Sequence, residues 1–417
     1  METSAKPKSG FRLFAGDKVL WIILALLAII SVLVVYSSAA KMGYDPRYDT
    51  TTTRFLTAQL VRLLGCAALL ALLHKINCQL YNRLSRVLFW GSAALTIAAY
   101  FIGTSHGDAS RWIFGIQPSE ALKISTVIFM ARQLSVRQST IDRQRIVPTL
   151  MFWRWFSDPA QQKIWRDGTW PIVCPVVFAC AVIVKDHSSS ALLVFIISLV
   201  MMYVGRVKAV ELLKLVGLAS VAVCLLVMMG FGRANVIKQR MGMFFGREVN
   251  TEHVVESTMT IDKLSDTERA LVAIHKGGLT GSGAGHSTMR VLLTHPESDY
   301  IYALFVEEYG LFLALVLMSF YLWISVRGIA IFTRCETAFP GLMVLGLVLL
   351  ITIQALMHIM VSLGLFPETG QNLPFVSHGG SSLLFSTWAM SIVLSVSRQN
   401  DEKSHVKPRG ESILEKR

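Results

Sequence analysis

The chain has 417 residues, 53% of them apolar and only 16% charged, with a mean hydropathy of +0.52 and a formal net charge of +13. Soluble domains carry roughly 25% charged residues, so this composition excludes a water-soluble enzyme. Six cysteines without CxxC or Cys/His spacing exclude a disulfide-stapled module and a cysteine metal clamp.

The first residues, KPKSGFRLFAGDK, lead into about twenty apolar residues with no small-residue cleavage site, which predicts a retained first span rather than a removed signal peptide. A helix needs about 20 apolar residues to cross about 30 Å of hydrocarbon. Such stretches lie near 19–39, 55–73, 86–103, 118–134, 169–185, 189–205, 210–231, 301–325, 340–363 and 379–397. They predict an all-α polytopic membrane protein with ten transmembrane helices. With the N-terminus in the cytoplasm, the short inner loops collect Lys6, Lys8, Arg12, Lys75, Arg83, Arg86, Arg206, Lys208, Arg327, Arg334 and the tail from Arg398 to Arg417. The positive-inside rule therefore places both termini in the cytoplasm and accounts for much of the charge without nucleic acid. The expected organisation is a tail (1–18), a ten-helix domain (19–398) and a second tail (399–417), with a large outer loop, 232–300, between helices 7 and 8. Residues 149–166, LMFWRWFSDPAQQKIWRD, read either as a helix on the inner headgroups or as a connecting loop with aromatic anchors.

A charge at membrane depth costs at least about 2.5 kcal/mol, so it needs a partner, water or a task. Four places stand out. In SRWIFGIQPSEALKI, Pro118 suits the opening of a helix, and Glu120 and Lys123 share one face. They form either a self-neutralising pair or the lining of a polar cavity, with Arg111 above as a cation for phosphate. In HPESDYIYALFVEEYG, Asp299 stands just before an apolar run, with Glu307 and Glu308 two turns further in. A partly desolvated carboxylate suits proton acceptance, whereas an Asp there also suits a helix cap. ALVAIHKGGLTGSGAGHS places five glycines between 277 and 285, and no GK[ST] closes it as a phosphate loop. In GLFPETGQNLPFVSHGGSS, Pro367, Pro374, Gly379 and Gly380 break helix while Ser377, His378, Ser381 and Ser382 offer hydrogen bonds. Irregular backbone at that depth belongs in a cavity or buried in protein.

These residues resemble the SEDS family of peptidoglycan polymerases, comprising FtsW, RodA and SpoVE. SRWI with QPSEALK is similar to the family's RRWI and QPSELAK, ESDYIYALFVEEYG to HTDFIFAVIAEELG, the glycine turn to GGxxGxGxG, and LFPETGQNLPFVSHGGSS to LPxTGxxLPFxSxGGSS. The resemblance covers about 19–398. It departs at KDHSSSA, where the family often carries QPDLGTA: His187 takes the place of that motif's aspartate and Asp186 is one residue out of register.

The resemblance implies a glycosyltransferase that polymerises lipid II, an undecaprenyl-diphosphate-linked disaccharide pentapeptide, on the periplasmic face of the inner membrane. It implies Asp299 as the catalytic general base in an inverting transfer. Arg111, Gln117, Glu120, Lys123, Ser377, Gly379, Gly380 and Ser381 become the substrate-binding candidates. The leaving diphosphate needs positive charge, from Arg111 and Lys123 or from a divalent cation, Mg or Mn, although no metal-ligand cluster is visible. The implied partners are a class B penicillin-binding protein transpeptidase of the FtsI-like kind and divisome membrane proteins. The basic N-terminus and charged tail lean toward septal synthesis in cell division, with RodA-type elongation as the alternative. Two further readings are a flippase for lipid-linked precursors and a silent scaffold for the transpeptidase.

Overall fold

A computed structural model describes residues 15–44, 52–105, 110–113, 115–141, 158–228, 242 and 264–406. Its helices are α1 (Lys18–Tyr44), α2 (Thr52–Leu73), α3 (Cys78–Ile102), α4 (Pro118–Ile141), α5 (Pro159–Ile164), α6 (Cys174–Val184), α7 (Ser188–Val204), α8 (Ala209–Met228), α9 (Asp266–Gly277), α10 (Ile301–Thr333), α11 (Ala338–Ser362) and α12 (Gly380–Val406). A π-helical stretch, Trp165–Val173, joins α5 to α6.

Among the described residues, seven spans are long and apolar enough to cross a membrane: those in α1, α2, α3, α5 through α6, α10, α11 and α12. α7 is apolar but only 17 residues long, and α4 carries Glu120, Lys123, Arg132 and Arg137. The described residues are not wholly helical, because β1 (Thr104–Ser105) pairs antiparallel with β2 (Ser110–Trp112) between α3 and α4. Of the aromatic segment 149–166, residues 149–157 lie outside the described residues, as do 232–241 and 243–263 of the large loop.

α11 packs against α10, α4, α7 and α12 and forms the centre of the bundle. Its apolar window is 78% buried, against 11% for α2, which stands at the periphery. Exposed Val61, Leu64 and Leu72 on α2 make a surface suited to lipid.

The expected single helix over 301–325 is corrected by a break at Gly310, whose backbone (φ 80°, ψ 168°) leaves the helical region. The glycine turn after α9 packs into that break. Ser282 N–H donates to Glu307 C=O (2.9 Å), Gly283 N–H to Glu308 C=O (3.0 Å), and Leu311 N–H to Gly278 C=O (2.9 Å). These bonds satisfy backbone groups freed by the break. A Cβ on Gly281 would lie 2.3 Å from Glu308 O, and one on Gly310 2.4 Å from Leu279 O, so only glycine allows this approach. Glu307 and Glu308 complete the clamp. Glu307 accepts from the Ser287 hydroxyl, from Thr288 N–H (2.9 Å) and from the Thr288 hydroxyl (3.0 Å), and Glu308 accepts from Ser37 on α1. Their task is to tie the glycine turn to the bundle.

Replacing Gly281 by Ala should cost about 1–3 kcal/mol through backbone strain and overlap, read as a lower melting temperature in detergent. Gly91→Ala, at a helical position with open space around it, should leave the melting temperature level or raise it.

Candidate active site

After α11 the chain dips back into the bundle as an irregular segment, residues 363–379, held from helix by Pro367 and Pro374. Irregular backbone among spans is stable only when its polar groups find partners. Here side chains from four helices cap successive carbonyls. Ser189 on α7 donates to Thr369 O (3.1 Å), and His358 Nδ1 on α11 to Gln371 O (2.7 Å). Gln354 on α11 donates to Asn372 O (3.1 Å), Tyr321 on α10 to Pro374 O (2.6 Å), and Ser31 on α1 to Val376 O (3.0 Å). The carbonyl acceptor assigns the Nδ1–H tautomer of His358. Gln371 closes the network by donating to Ser189 and Ser190 (3.1 and 3.2 Å).

This segment fixes the Asp299 loop. His378 N–H donates to Glu297 C=O (2.9 Å) and the Ser377 hydroxyl donates to Ser298 C=O (2.8 Å) while accepting from Leu373 N–H (2.8 Å). Asp299 N–H is bound to His295 C=O (3.0 Å). The cap position of α10 is Tyr300, with no side-chain cap bond, and Asp299 stands one residue ahead of it. Half-buried Asp299 lines a cavity of about 90 Å³ with Asp266, His295, Glu368, Thr369 and Gly370. A Cβ on Gly370 would sit 3.8 Å from Asp299 Oδ2, so the carboxylate faces a side-chain-free stretch of the segment. The neighbouring acids have partners of their own: Asp266 pairs with Arg269 (3.1 Å) and Glu368 accepts from Thr267 (2.8 Å). His295 lies 3.6 Å from Glu297, whose hydrogen bond and charge, with the charges of Asp299 and Asp266, raise its pKa above the ordinary 6.5 against the opposing effect of burial. Among the described residues, no three His, Cys, Asp or Glu side chains are grouped to hold a metal ion.

On the other side of the segment, Lys123 and Glu120 form an ion pair (2.8 Å), and buried Lys123 also donates to Gln354 Oε1 (3.3 Å). Gln354 thereby links Lys123 to the carbonyl of Asn372, two residues beyond Gly370. Gln117 is buried just ahead of α4. The backbone of Arg111 lies in β2, and its side chain lies outside the described residues. Asp186 is buried at the turn between α6 and α7, and His187 precedes α7 without a side-chain cap bond. Gly379 and Gly380 open α12: a Cβ at Gly379 would meet Asn372 Nδ2 at 2.4 Å, so that glycine is needed for close packing. Ser381 is buried in the first turn.

The structure thus brings Asp299, Ser377 and Gly370 together and ties Lys123 to the same segment. Gln354, His358, Gln371, Tyr321, Ser31 and Arg62 are the participants that the reading of the sequence passed over. Arg62 on α2 donates to His378 Nε2 (2.7 Å). Burial first, and the adjacent Arg62 charge second, push the His378 pKa down from 6.5 to about 4, opposed by Glu297.

A family model described as "Cell cycle protein", covering FtsW, RodA and SpoVE, matches residues 17–402. The chain is 26% identical over 390 residues to a probable peptidoglycan glycosyltransferase FtsW of Geobacter metallireducens, covering 91% of this chain and 94% of that one. It is 27% identical over 405 residues to stage V sporulation protein E of Bacillus subtilis (92% and 97%). Among solved structures, it matches a chain from "Structural coordination of polymerization and crosslinking by a peptidoglycan synthase complex" with a TM-score of 0.64, 20% identity and coverage of 93% and 98%. It also matches the rod shape determining protein RodA of Thermus thermophilus with a TM-score of 0.60, 19% identity and the same coverage. At these identities the structural likeness establishes a shared fold.

A neutral buried His378 implies a definite pH response. Between pH 6.5 and about 4 the unfolded chain holds more protons at this residue than the folded one, so stability falls as pH drops through that window and is level above it. The melting temperature in detergent, followed from pH 7.5 to 4.5, should show this decline, and His378→Gln should make it shallower.

Proposed function

The chain belongs to the FtsW/RodA/SpoVE family of cell cycle proteins, and on that footing we propose that it is a peptidoglycan glycosyltransferase that polymerises lipid II during septal wall synthesis. The observation that carries this reading is the placement of Asp299 at a cavity, with its loop held by two hydrogen bonds from the buried segment.

In the proposed reaction the Asp299 carboxylate accepts the proton of the GlcNAc 4-hydroxyl of the acceptor. That oxygen forms a bond to C1 of the donor MurNAc as the bond from C1 to the lipid diphosphate breaks, and the diphosphate departs with the electron pair. One displacement inverts the α-linked donor to a β-1,4 product. Glu120 orients Lys123, and Lys123 with Arg111 supplies positive charge toward the leaving group. Gln117, Ser377, Gly379, Gly380 and Ser381 shape the walls around the substrate. A divalent Mg or Mn ion, if bound by the diphosphate itself, would supply further charge, and no three protein ligands are grouped for one among the described residues.

The same reading places ten spans in the inner membrane, both termini in the cytoplasm and the cavity on the periplasmic side. Seven spans of sufficient length and apolarity support it. A class B penicillin-binding protein of the FtsI-like kind would crosslink the product, an assignment supported by the likeness to a chain of a peptidoglycan synthase complex.

Asp299→Asn keeps the shape and deletes the base. The purified variant with its transpeptidase should bind lipid II yet lose about 10²–10⁴-fold in glycan synthesis; undiminished polymerisation would overturn the assignment. Lys123→Ala strands Glu120 without its ion-pair partner and should also lower turnover, while normal kinetics in a folded variant would reduce the pair to a structural one.

A further inference from the structure

α12 begins beside a cation. Gly379 is its cap residue, since Leu383 N–H donates to Gly379 C=O (2.9 Å), so the N–H groups of residues 380–382 have no helical acceptor. The Arg62 guanidinium lies over this turn: its Nε would be 3.8 Å from a Cβ on Gly380. Arg62 is half-buried ten residues into α2, about 15 Å along it. Among the described residues no carboxylate pairs with it, and its hydrogen-bond partner is the His378 ring. A guanidinium at the positive pole of a helix is repelled, and at this depth it is costly as well. An anion between the two reverses the sign of both effects. Ser382 points the same way. It is 5% exposed, its hydroxyl has no hydrogen-bond partner among the described residues, and its Cβ lies 3.6 Å from the Cβ position of Gly379, at the mouth of the helix.

A second feature meets this one. An almost wholly apolar groove of about 480 Å³ runs between α1, α2 and α12, with Lys18 at one end and Leu63, Phe375 and Leu383 at the other. α1 and α2 are antiparallel, as the Trp21–His74 ring contact near one end and the Gln59–Ser31 hydrogen bond near the other require. Leu63 directly follows Arg62, Leu383 lies one turn past Gly380, and Phe375 is three residues before His378. The lining of the groove therefore reaches the chain neighbours of Arg62, His378 and Gly380, which are not themselves part of it.

We propose that Arg62, Ser382 and the first turn of α12 hold the diphosphate of an isoprenyl diphosphate lipid, and that its tail lies in the groove between α1, α2 and α12. The assignment rests on the polymerase reading for the identity of the lipid. It provides a charged seat distinct from Lys123, whose ammonium is already shared between Glu120 and Gln354. An ordinary anionic phospholipid would not require two adjacent phosphates to span Arg62 and the helix turn, so phosphatidylglycerol should compete poorly.

The test is binding to the purified full-length chain in detergent, with undecaprenyl diphosphate, inorganic diphosphate and phosphatidylglycerol as separate probes. Arg62→Gln should weaken undecaprenyl diphosphate and inorganic diphosphate alike by about tenfold to hundredfold, and Arg62→Lys should retain most of the affinity. Ala67→Trp, which fills the groove, should weaken undecaprenyl diphosphate by about tenfold or more while leaving inorganic diphosphate unchanged. Wild-type affinity for undecaprenyl diphosphate in either folded Arg62→Gln or Ala67→Trp, or equal competition by phosphatidylglycerol, overturns the proposal. Should Arg62→Gln fail to fold, the contrast between the two diphosphate probes in Ala67→Trp decides. Asp299→Asn separates the two readings: polymerisation retained by that variant, with binding still dependent on Arg62, sinks the proposed base and leaves the lipid seat standing.

Discussion

Two hydrogen bonds, His378 N–H to Glu297 C=O and Ser377 hydroxyl to Ser298 C=O, join the buried irregular segment to the loop that carries Asp299. That junction holds the Asp299 loop against the bundle. The segment is held by side chains of α1, α7, α10 and α11, so the position of Asp299 is set by helices distant in sequence rather than by its own loop. A carboxylate on an unsupported loop would sample many orientations, and proton acceptance needs one within hydrogen-bond reach of the reacting hydroxyl. The capped carbonyls supply that rigidity.

The helical stretches were legible because hydropathy over about twenty residues is a strong signal. The break at Gly310 was hidden because FVEEYGLFLAL carries no proline and its flanking residues suit a helix. What breaks the helix is a tertiary contact, the glycine turn of residues 277–285 bonding into it, and each half of that contact is ambiguous alone. Glu307 and Glu308 illustrate the same limit. Their cost at membrane depth was visible, whereas their partners Ser37, Ser287 and Thr288 lie 18 or more residues away along the chain.

The site was partly legible for a related reason. Asp299, Glu120 and Lys123 stand out as charges beside apolar runs, and the glycine and proline content of 363–379 announces irregular backbone. Gln354 and His358, one turn apart on α11 within ITIQALMHIM, carry a weaker signal of the same kind, as do Gln59 and Arg62 in LTAQLVRLLG. Gln59 and Gln354 are uncharged amides, which cost less than ions in lipid, so a filter built on ionisable groups passes over them, whereas Arg62 and His358 are ionisable but stand singly. Yet Gln354 and His358 cap carbonyls of the buried segment, Gln59 holds Ser31, and Arg62 holds His378. The polar residues most informative about architecture were single ones at helical spacing inside the spans, and clustering alone does not find them.

The arrangement also keeps opposite charges apart. The described lining of the Asp299 cavity contains Asp266, His295 and Glu368 but no lysine or arginine, while Lys123 and Arg62 meet the segment through Gln354 and His378. A direct ion pair between base and cation would neutralise both, lowering the basicity of the carboxylate and the field available to a departing anion. In the proposed reaction, an irregular strip of backbone between them lets the carboxylate face the acceptor's hydroxyl while the cations face the donor's diphosphate. Backbone serves as the spacer because the carbonyls of Thr369, Gln371, Asn372, Pro374 and Val376 are already bonded to helix side chains. A soluble enzyme can keep such groups apart with water; within a membrane bundle the separation has to be built from the chain itself.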